Sequence, residues 1–320
     1  MKKIIDFLKK HLSFLGIILF IFILFKSNLG EILKNIKNVN FSYLILAAAL
    51  ALPILLNKTW CWNYIKRKQG IKYNLKDSFL MYCSGIYVGT LTPGRMGEVI
   101  KALYLKKDGY SMGRSLVSIA LDRISDLVSL VAFILLSSLF FITVFQKQIL
   151  ILVLGIIIFI LLFVIFLKIG LIKWFLKKMF YVFIPEKYRK SWKINFQDFI
   201  DDFKIYKLKN YIIIFLISIL SWFFYYLQTY ILSKAINIDV PFLYLAITVT
   251  TAGLITLIPI SVAGIGTRDA ALILLLAPFS ILREQAILFS ALILLMSLFA
   301  ALVGLTCWLY RPIRFSKNNN

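Results

Sequence analysis

Three groups of residues in this sequence combine arginines with carboxylates, and the first is Pro93-Gly94-Arg95-Met96-Gly97-Glu98. A Pro-Gly pair breaks a helix and leaves backbone N–H groups without partners at the start of the next one. Those N–H groups, the helix dipole and the guanidinium of Arg95 together favour an anion such as phosphate. The predicted break residues are Pro93, Gly94 and Gly97. Glu98 would orient Arg95 or bind a cationic headgroup; alternatively, an Arg95–Glu98 ion pair closes a hairpin at the water interface.

The second group places Asp122, Arg123 and Asp126 inside the apolar run 115–141. Asp122 and Asp126 are four residues apart and share one face of a helix, and Arg123 is three residues before Asp126. A charge in a membrane span costs about 2.5–3.5 kcal/mol, so this face is not expected to contact lipid. Two interpretations are open. One is an internal ion pair that fixes helix packing, and the other is a cavity wall where Arg123 binds a headgroup and an aspartate binds a proton or cation.

The third group repeats the first, with Pro259 followed by Ser261-Val262-Ala263-Gly264-Ile265-Gly266-Thr267-Arg268-Asp269. The predicted break residues are Pro259, Gly264 and Gly266. Arg268 at the start of the next helix predicts a second anion site, and Asp269 adds a charge for a proton or cation. The alternative is structural, with Asp269 capping the helix and Arg268 as its partner. No strand precedes the glycines, so they are not a dinucleotide-binding fingerprint.

The composition indicates what kind of protein carries these groups. Of the 320 residues, 61% are hydrophobic and 16% are charged, whereas soluble domains have about 45–50% apolar and about 25% charged residues. This excludes an ordinary soluble enzyme and a disordered chain. Apolar runs such as 149–167 and 211–233 are near the roughly 20 residues that cross a bilayer core. We therefore predict an all-α integral membrane protein with a single membrane domain over residues 1–320.

The charge distribution favours contact with lipid over contact with nucleic acid. The formal net charge is +23, from 37 Lys+Arg against 14 Asp+Glu. The basic residues lie in loops that flank apolar spans, which is the pattern of membrane topology and anionic-lipid contact. His11 is the single histidine and the three cysteines are scattered. We therefore expect no metal site, no cofactor, no catalytic nucleophile–base pair and no nucleic-acid partner.

Hydropathy divides the chain into eight apolar segments. They are 12–25, 41–56, 78–92, 115–141, 149–167, 211–233, 241–259 and 270–309, the last divided near Pro278 so that the final span is 286–309. The positive-inside rule places both termini and the basic stretches 57–77 and 168–210 in the cytoplasm. A crossing at 78–92 would put the basic stretch 101–114 outside, so we expect a re-entrant hairpin there. The break near Pro259 predicts a second hairpin, which enters from the outside.

The resulting prediction has about six full spans and two re-entrant hairpins in an inverted repeat. Each half, about 1–145 and about 146–315, reads span, span, hairpin, span, and the second half is inverted relative to the first. Transporters commonly have such repeats, with the substrate site where the repeats meet. The alternative is eight simple crossings.

Other residues are expected at the membrane surface. In the segment 168–210, lysines alternate with apolar residues, which predicts an amphipathic helix on the cytoplasmic leaflet. The aromatic residues Trp60, Trp62, Tyr64, Trp222, Trp308 and Tyr310 fit interfacial belts.

The three groups together resemble the lysylphosphatidylglycerol synthase transmembrane, or flippase-like, family. That family includes the membrane half of the bacterial multiple peptide resistance factor and stand-alone bacterial and archaeal members. The resembling residues are Thr92–Glu98, Arg123 with Asp126, and Pro259 through Gly264–Asp269, and the likeness covers nearly the whole chain. Two departures are Asp269, where relatives usually carry Glu, and the turn 259–264, where many bacterial relatives have consecutive glycines.

The resemblance implies one of the family's activities and not the other. The soluble aminoacyl-transferase domain is absent from this sequence, so lipid aminoacylation is not implied. What is implied is the movement of a polar-headed lipid between leaflets, and some archaeal relatives are associated with polyprenyl-linked glycan pathways. The lipid would therefore be anionic, aminoacylated or glycosylated.

Three functional hypotheses follow. The first is a lipid flippase in the cytoplasmic membrane, in which Arg95 and Arg268 bind the lipid phosphate in alternation from opposite faces. The second is an enzyme that modifies a phospholipid or a lipid-linked glycan, with Glu98, Asp122 and Asp126 as metal ligands. The third is a non-transporting membrane partner of a separate lipid-modifying enzyme. We favour the first and do not expect an enzyme, because no catalytic motif is present.

Overall fold

The computed structural model describes residues 16–138, 201–203, 205–256 and 261–312, and these residues form helices and no strand. The helices in chain order are α1 Gly16–Phe25, α2 Leu29–Lys37, α3 Phe41–Ala49, α4 Ala51–Lys68, α5 Leu75–Thr90, α6 Ile100–Lys107, α7 Met112–Ser138, α8 Leu208–Ala235, α9 Phe242–Thr256, α10 Thr267–Leu276 and α11 Arg283–Tyr310. Short 3₁₀ turns lie at Pro93–Val99 and Ala277–Phe279.

Among the described residues, three stretches of helix are long and apolar enough to cross a membrane. They are Phe41–Lys68, which joins α3 and α4, Leu208–Ala235 and Arg283–Tyr310, each with 28 residues. Helices α1 and α2 meet at a bend of 92° and count as a fourth span if the pair is taken as one. With a chain that is 61% hydrophobic, these helices make the fold an all-α integral membrane protein.

The helix bounds confirm some predicted segments and correct another. The segments 211–233 and 286–309 correspond to α8 and α11. The stretch 57–77 is not a loop throughout, because α4 continues to Lys68. Lysines and asparagines are typical of loops, yet several of those in this stretch are buried inside the protein. The segments 149–167 and most of 168–210 lie outside the described residues, so the number of spans and the inverted repeat stay predictions.

Asparagines begin two of the early helices. The side chain of Asn28 accepts hydrogen bonds from the N–H groups of Gly30 and Glu31 at the start of α2. Asn40 caps α3 in the same way through the N–H of Ser42. Each cap satisfies N–H groups that have no partner within their own helix. The bend between α1 and α2 thus falls where the sequence supplies a capping residue.

The helices divide into two compact units, and the first includes both breaks. It consists of Met1–Thr59, Leu75–Ile100 and Leu220–Asn320. In this unit α11 packs along α5 and also contacts α2, α3 and α10. Gly304 of α11 permits the contact with α5, because a Cβ there would overlap the carbonyl oxygen of Cys83. The start of α11 is fixed to the α1–α2 bend, where Arg283 donates to the Lys26 carbonyl at 2.9 Å.

The second unit consists of Trp60–Asn74 and Lys101–Ile219. Its apolar core joins the end of α4 to α7 and to the start of α8. The buried members are Cys61, Ile65, Val117, Leu121, Tyr206, Ile214 and Ile217. The Tyr206 hydroxyl donates to the Ile65 carbonyl at 2.9 Å, which ties the segment before α8 to α4.

Candidate functional site

The first predicted break is a 3₁₀ turn, Pro93–Val99, between α5 and α6. Gly94 and Arg95 both have left-handed backbone angles, with φ of 59° and 56°. The N–H of Gly97 donates to the Thr92 hydroxyl at 2.7 Å. A Cβ on Gly97 would overlap the carbonyl oxygen of Val88, so only glycine fits at this position of the turn. The turn brings Arg95 to its tip.

Arg95 and Glu98 do not form the ion pair that one interpretation of the sequence requires. Glu98 is buried against Gly89. Its Cγ lies 2.6 Å from the position that a Cβ on residue 89 would take. Arg95 is exposed, and its guanidinium makes no hydrogen bond or ion pair within the described part of the chain. Glu98 therefore does not orient Arg95. No described residue occupies the donors of Arg95.

The second break is described from Ser261 onward, and Pro259 lies outside the described residues. Ala263, Gly264 and Gly266 have left-handed angles, with φ of 52°, 80° and 82°. A Cβ on Gly266 would overlap the carbonyl oxygen of Gly16, so this turn lies directly against α1. The Asp269 carboxylate accepts the N–H of Gly266 at 2.6 Å, so it satisfies a backbone donor at the start of α10, in line with the structural interpretation of Asp269.

Arg268 is buried, with 7% of its surface exposed, and it is only partly bonded. Its Nε donates to the Ser290 hydroxyl at 2.8 Å, and a terminal nitrogen donates to the Ala263 carbonyl at 3.3 Å. A guanidinium has five N–H groups, so three are left without a hydrogen bond to the described residues. Asp269 forms no ion pair with Arg268 within 4.0 Å, although the charges of the two residues attract each other.

Arg95 and Arg268 lie within electrostatic range of Tyr225 and of each other. The charges of both arginines act on Tyr225, and the two guanidinium groups repel each other. All three residues belong to the first unit. The two breaks, which are more than 150 residues apart in the chain, thus contribute to one cationic site. The sequence identifies both arginines but does not place them together.

Tyr225 is a residue of this site that the sequence analysis misses. It lies in α8, where its ring makes an edge-on contact with Trp222 at a centroid distance of 5.4 Å. Its neighbour Tyr226 is different, because that hydroxyl is hydrogen-bonded to Thr250 at 2.7 Å. The stretch around Tyr225 is rich in apolar and aromatic residues, and no pattern in the sequence distinguishes Tyr225 from Tyr226.

The second unit holds a buried charge network on α6, α7 and α8. Lys101 is fully buried, and its Nζ lies 3.0 Å from an Asp122 oxygen. Arg123 lies 3.2 Å from the same oxygen and 3.3 Å from an oxygen of Asp126. Asp126 also accepts a hydrogen bond from Ser218 at 3.1 Å. This arrangement fits the structural interpretation of the aspartates, an internal ion network, because each carboxylate already has basic partners.

Two buried lysines share one tryptophan ring in the same unit. Lys66 and Lys101 lie 3.7 Å and 5.6 Å from the centroid of Trp62, and both side chains are buried. The Trp62 N–H donates to the Ser118 hydroxyl at 3.1 Å. The aromatic face stabilises ammonium groups that have lost contact with water. Trp62 is therefore a core residue and not part of an interfacial belt.

No cluster of metal-ligating side chains is found among the described residues. Groups of three or more His, Cys, Asp or Glu side chains do not occur there. Asp122 and Asp126 have cationic side chains as neighbours, which disfavours a metal cation at the same place.

Comparison with known proteins places the chain in a family. Residues 12–304 match the family described as the lysylphosphatidylglycerol synthase TM region. A UPF0104 membrane protein of Methanocaldococcus jannaschii is 29% identical over 101 residues, 31% of this chain and 30% of that protein. A UPF0104 membrane protein of Pyrococcus horikoshii is 25% identical over 158 residues, 47% of this chain and 46% of that protein.

The aligned part thus covers less than half the length of either relative. No solved structure matches the chain. The family match extends over most of the sequence and includes the 3₁₀ turn at Pro93–Val99, the charge network and the turn before Arg268. The chain is a multi-pass membrane protein that belongs to the lysylphosphatidylglycerol synthase transmembrane-region family.

Proposed function

We propose that this protein moves a lipid with an anionic headgroup between the two leaflets of the cell membrane. In this proposal Arg95 and Arg268 bind the phosphate of the headgroup. The observation that carries it is an arginine at each of the two helix breaks, one of them buried, with no ion pair within 4.0 Å from either guanidinium to a carboxylate of the described residues.

Electrostatics favour an anion at this site. The like charges of Arg95 and Arg268 repel each other, and such a repulsion is stronger in a medium of low dielectric constant than in water. An anion between them removes the repulsion and takes up the donors that the protein leaves open. Guanidinium groups match phosphate oxygens in geometry and charge, so a phosphate is a suitable occupant.

The different exposure of the two arginines supports movement of the ligand. Arg95 is exposed at the tip of its turn, whereas Arg268 is buried against Ser290. A headgroup that enters from the surface would meet Arg95 first and Arg268 second. The family is consistent with a role in lipid biology, and helices long and apolar enough to cross a membrane support a lipid as the ligand.

Leaflet exchange in proteoliposomes tests the proposal. The protein is reconstituted in phosphatidylcholine with a trace of headgroup-labelled phosphatidylglycerol, and a membrane-impermeant quencher reports the label in the outer leaflet. We expect the wild type to expose the inner-leaflet label. Arg95→Gln and Arg268→Gln should slow exchange by about tenfold or more, because each removes charge-assisted hydrogen bonds to the phosphate.

Arg67→Gln is the matched control. Arg67 is also exposed, and its side chain makes no hydrogen bond, ion pair or ring contact with the described residues, so the exchange rate of this variant should equal that of the wild type. Wild-type rates in both Arg95→Gln and Arg268→Gln would contradict the assignment of the site. A folded wild type that exchanges neither labelled phosphatidylglycerol nor labelled native lipids would contradict transport and favour an enzyme or a partner protein.

A further inference from the structure

Helix α2 has an apolar face that the described part of the chain leaves largely uncovered. Its apolar residues recur at intervals of three and four and therefore share one face; they are Leu29, Ile32, Leu33 and Ile36. Ile32 is partly buried, whereas Leu29, Leu33 and Ile36 are 58%, 61% and 48% exposed. No residue of α2 is buried within the described structure. The apolar face thus requires an apolar medium or partner.

The other side of α2 is charged. It carries Glu31, Lys34 and Lys37, and the Lys34 ammonium lies 3.7 Å from a Glu31 oxygen in an exposed pair. The preceding helix α1, Gly16–Phe25, contains only apolar residues. Charges in the hydrocarbon core are costly, so α1 is suited to the core and α2 is not. A short helix with one apolar and one charged face is typical of the boundary between hydrocarbon and water.

The direction and the length of α2 fit this boundary. The helix leaves α1 at an angle of 92°, so it runs along the membrane surface if α1 crosses the bilayer. Its nine residues extend about 14 Å at the helical rise, which is less than half of the roughly 30 Å hydrocarbon core. Helix α2 is therefore too short to cross on its own and is directed away from the crossing of α1.

Hydrogen bonds from the start of α11 hold the bend in place. The Asn28 N–H donates to the Glu284 carboxylate at 3.0 Å, and Arg283 donates to the Lys26 carbonyl at 2.9 Å. Helix α11 also packs against α2. The direction of α2 is thus fixed by a long apolar helix, so its apolar face keeps one orientation relative to the bilayer.

We propose that α2 is a membrane-surface anchor and that its partner is the lipid bilayer. Leu29, Leu33 and Ile36 insert among the acyl chains just below the headgroups. The long side chains of Lys34 and Lys37 extend their ammonium groups to the lipid phosphates and to water.

This inference goes beyond the proposed function, because it concerns how the protein sits in the membrane and not which lipid it moves. The anchor also fixes the level of the second break in the bilayer. Gly266 of that break lies against Gly16 of α1, and α1 leads directly into α2.

The depth of single labels in proteoliposomes tests the inference. The full chain, with Cys61, Cys83 and Cys307 replaced by serine or alanine, receives one new cysteine as Leu33→Cys or Lys34→Cys. The two positions are neighbours, both exposed, on the apolar and the charged face. Each carries an environment-sensitive fluorophore in phosphatidylcholine vesicles. The quenchers are aqueous iodide and lipids with a nitroxide near the headgroup or at the chain end.

We expect the Leu33→Cys label to emit at a shorter wavelength than the Lys34→Cys label and to be quenched most by the nitroxide near the headgroup. Its depth should be about 5–10 Å, as for other interfacial helices. The Lys34→Cys label should be quenched by iodide. Ile18→Cys in α1, also exposed, is the control for a span and should be quenched most by the nitroxide at the chain end.

Three results would overturn the inference. Equal quenching of the Leu33→Cys and Lys34→Cys labels by iodide would place α2 in water. Strongest quenching of both labels by the chain-end nitroxide would make α1 and α2 one broken span. Protection of the Leu33→Cys label from every quencher would mean that protein covers the apolar face. Gel filtration shows whether each variant is folded, and Leu29→Cys is a second position on the same face.

Discussion

At the scale of single residues, Arg95 has an unfavourable backbone conformation and an exposed side chain. Its φ of 56° lies in the left-handed region, which side chains with a Cβ avoid. The conformation costs about 1–2 kcal/mol for a residue other than glycine. Gly94 beside it has the same conformation without that cost. The arginine is thus retained where glycine would be more stable, which is typical of a residue that serves a ligand.

Replacement of Arg95 by glycine should therefore separate function from stability. We expect Arg95→Gly to keep or raise the melting temperature, because it removes the left-handed strain, and to lose lipid exchange, because it removes the guanidinium. A thermal melt in detergent and the exchange assay measure the two effects. A large fall in melting temperature would mean that the Arg95 side chain supports the fold.

The buried charge network predicts a stability effect at Asp122. Asp122→Asn leaves Lys101 and Arg123 without the carboxylate that lies near both of them. Breaking a buried pair by removal of one partner costs about 3–5 kcal/mol, so the melting temperature should fall strongly.

Asp239→Asn is the control for that variant. Asp239 is exposed outside the spans, and the hydrogen bond from Lys234 lowers its pKa below the ordinary value. The pair is solvated, so its loss should leave the melting temperature close to that of the wild type. Equal melting temperatures for Asp122→Asn and the wild type would show that the network does not stabilise the fold.

Residue types predict some of these contacts and leave others unpredicted. Arg95 and Arg268 are visible in the sequence because breaks and glycines accompany them. Lys66 and Lys101 are not, since a lysine in a basic stretch has the same appearance whether it is solvated or packed on Trp62. Burial depends on which helix faces meet, and that is decided by residues far apart in the chain.

At the scale of elements, glycines determine where α11 and α5 approach each other. Gly304 lies against the Cys83 carbonyl and the Cβ of Tyr87, which leaves no room for a methyl group. In membranes, helices associate through such close backbone contacts, because lipid provides no hydrophobic force between them. The position of α5, and with it the 3₁₀ turn that presents Arg95, depends on this contact.

Two alanine substitutions test that dependence. Gly304→Ala should destabilise the protein by about 1–3 kcal/mol, the usual range for overpacking. Gly253→Ala in α9 has open space around it and should be neutral or stabilising by up to about 1 kcal/mol, because alanine is the better helix former. Thermal melts of the pair give the comparison. An equal effect of both substitutions would mean that α11 shifts easily away from α5.

Element bounds are predicted well where apolar runs end in a break. The spans 211–233 and 286–309 agree with α8 and α11 to within a few residues. The segment 41–56 is extended to Lys68, because polar side chains there pack inside the second unit instead of facing water. Hydropathy alone cannot distinguish a solvated polar helix from one buried against another.

At the scale of the whole molecule, the prediction of two hairpins that enter from opposite faces can be tested by labelling. Cys61, Cys83 and Cys307 are buried and are first replaced by serine or alanine. Met96→Cys at the first turn and Val262→Cys at the second then serve as single labelling sites. We expect an impermeant thiol reagent to label Met96→Cys from the cytoplasmic side and Val262→Cys from the outside. Labelling of both from the same side would favour simple crossings.

The close approach of Gly16 and Gly266 has a consequence for biosynthesis. The two residues touch in the folded protein but are 250 positions apart in the chain. At a synthesis rate of about 5–20 residues per second, about 12–50 seconds pass before the ribosome adds the second one. Throughout that interval the chain contains α1 but not the turn against which Gly16 packs. A chain released early by the ribosome therefore lacks this contact.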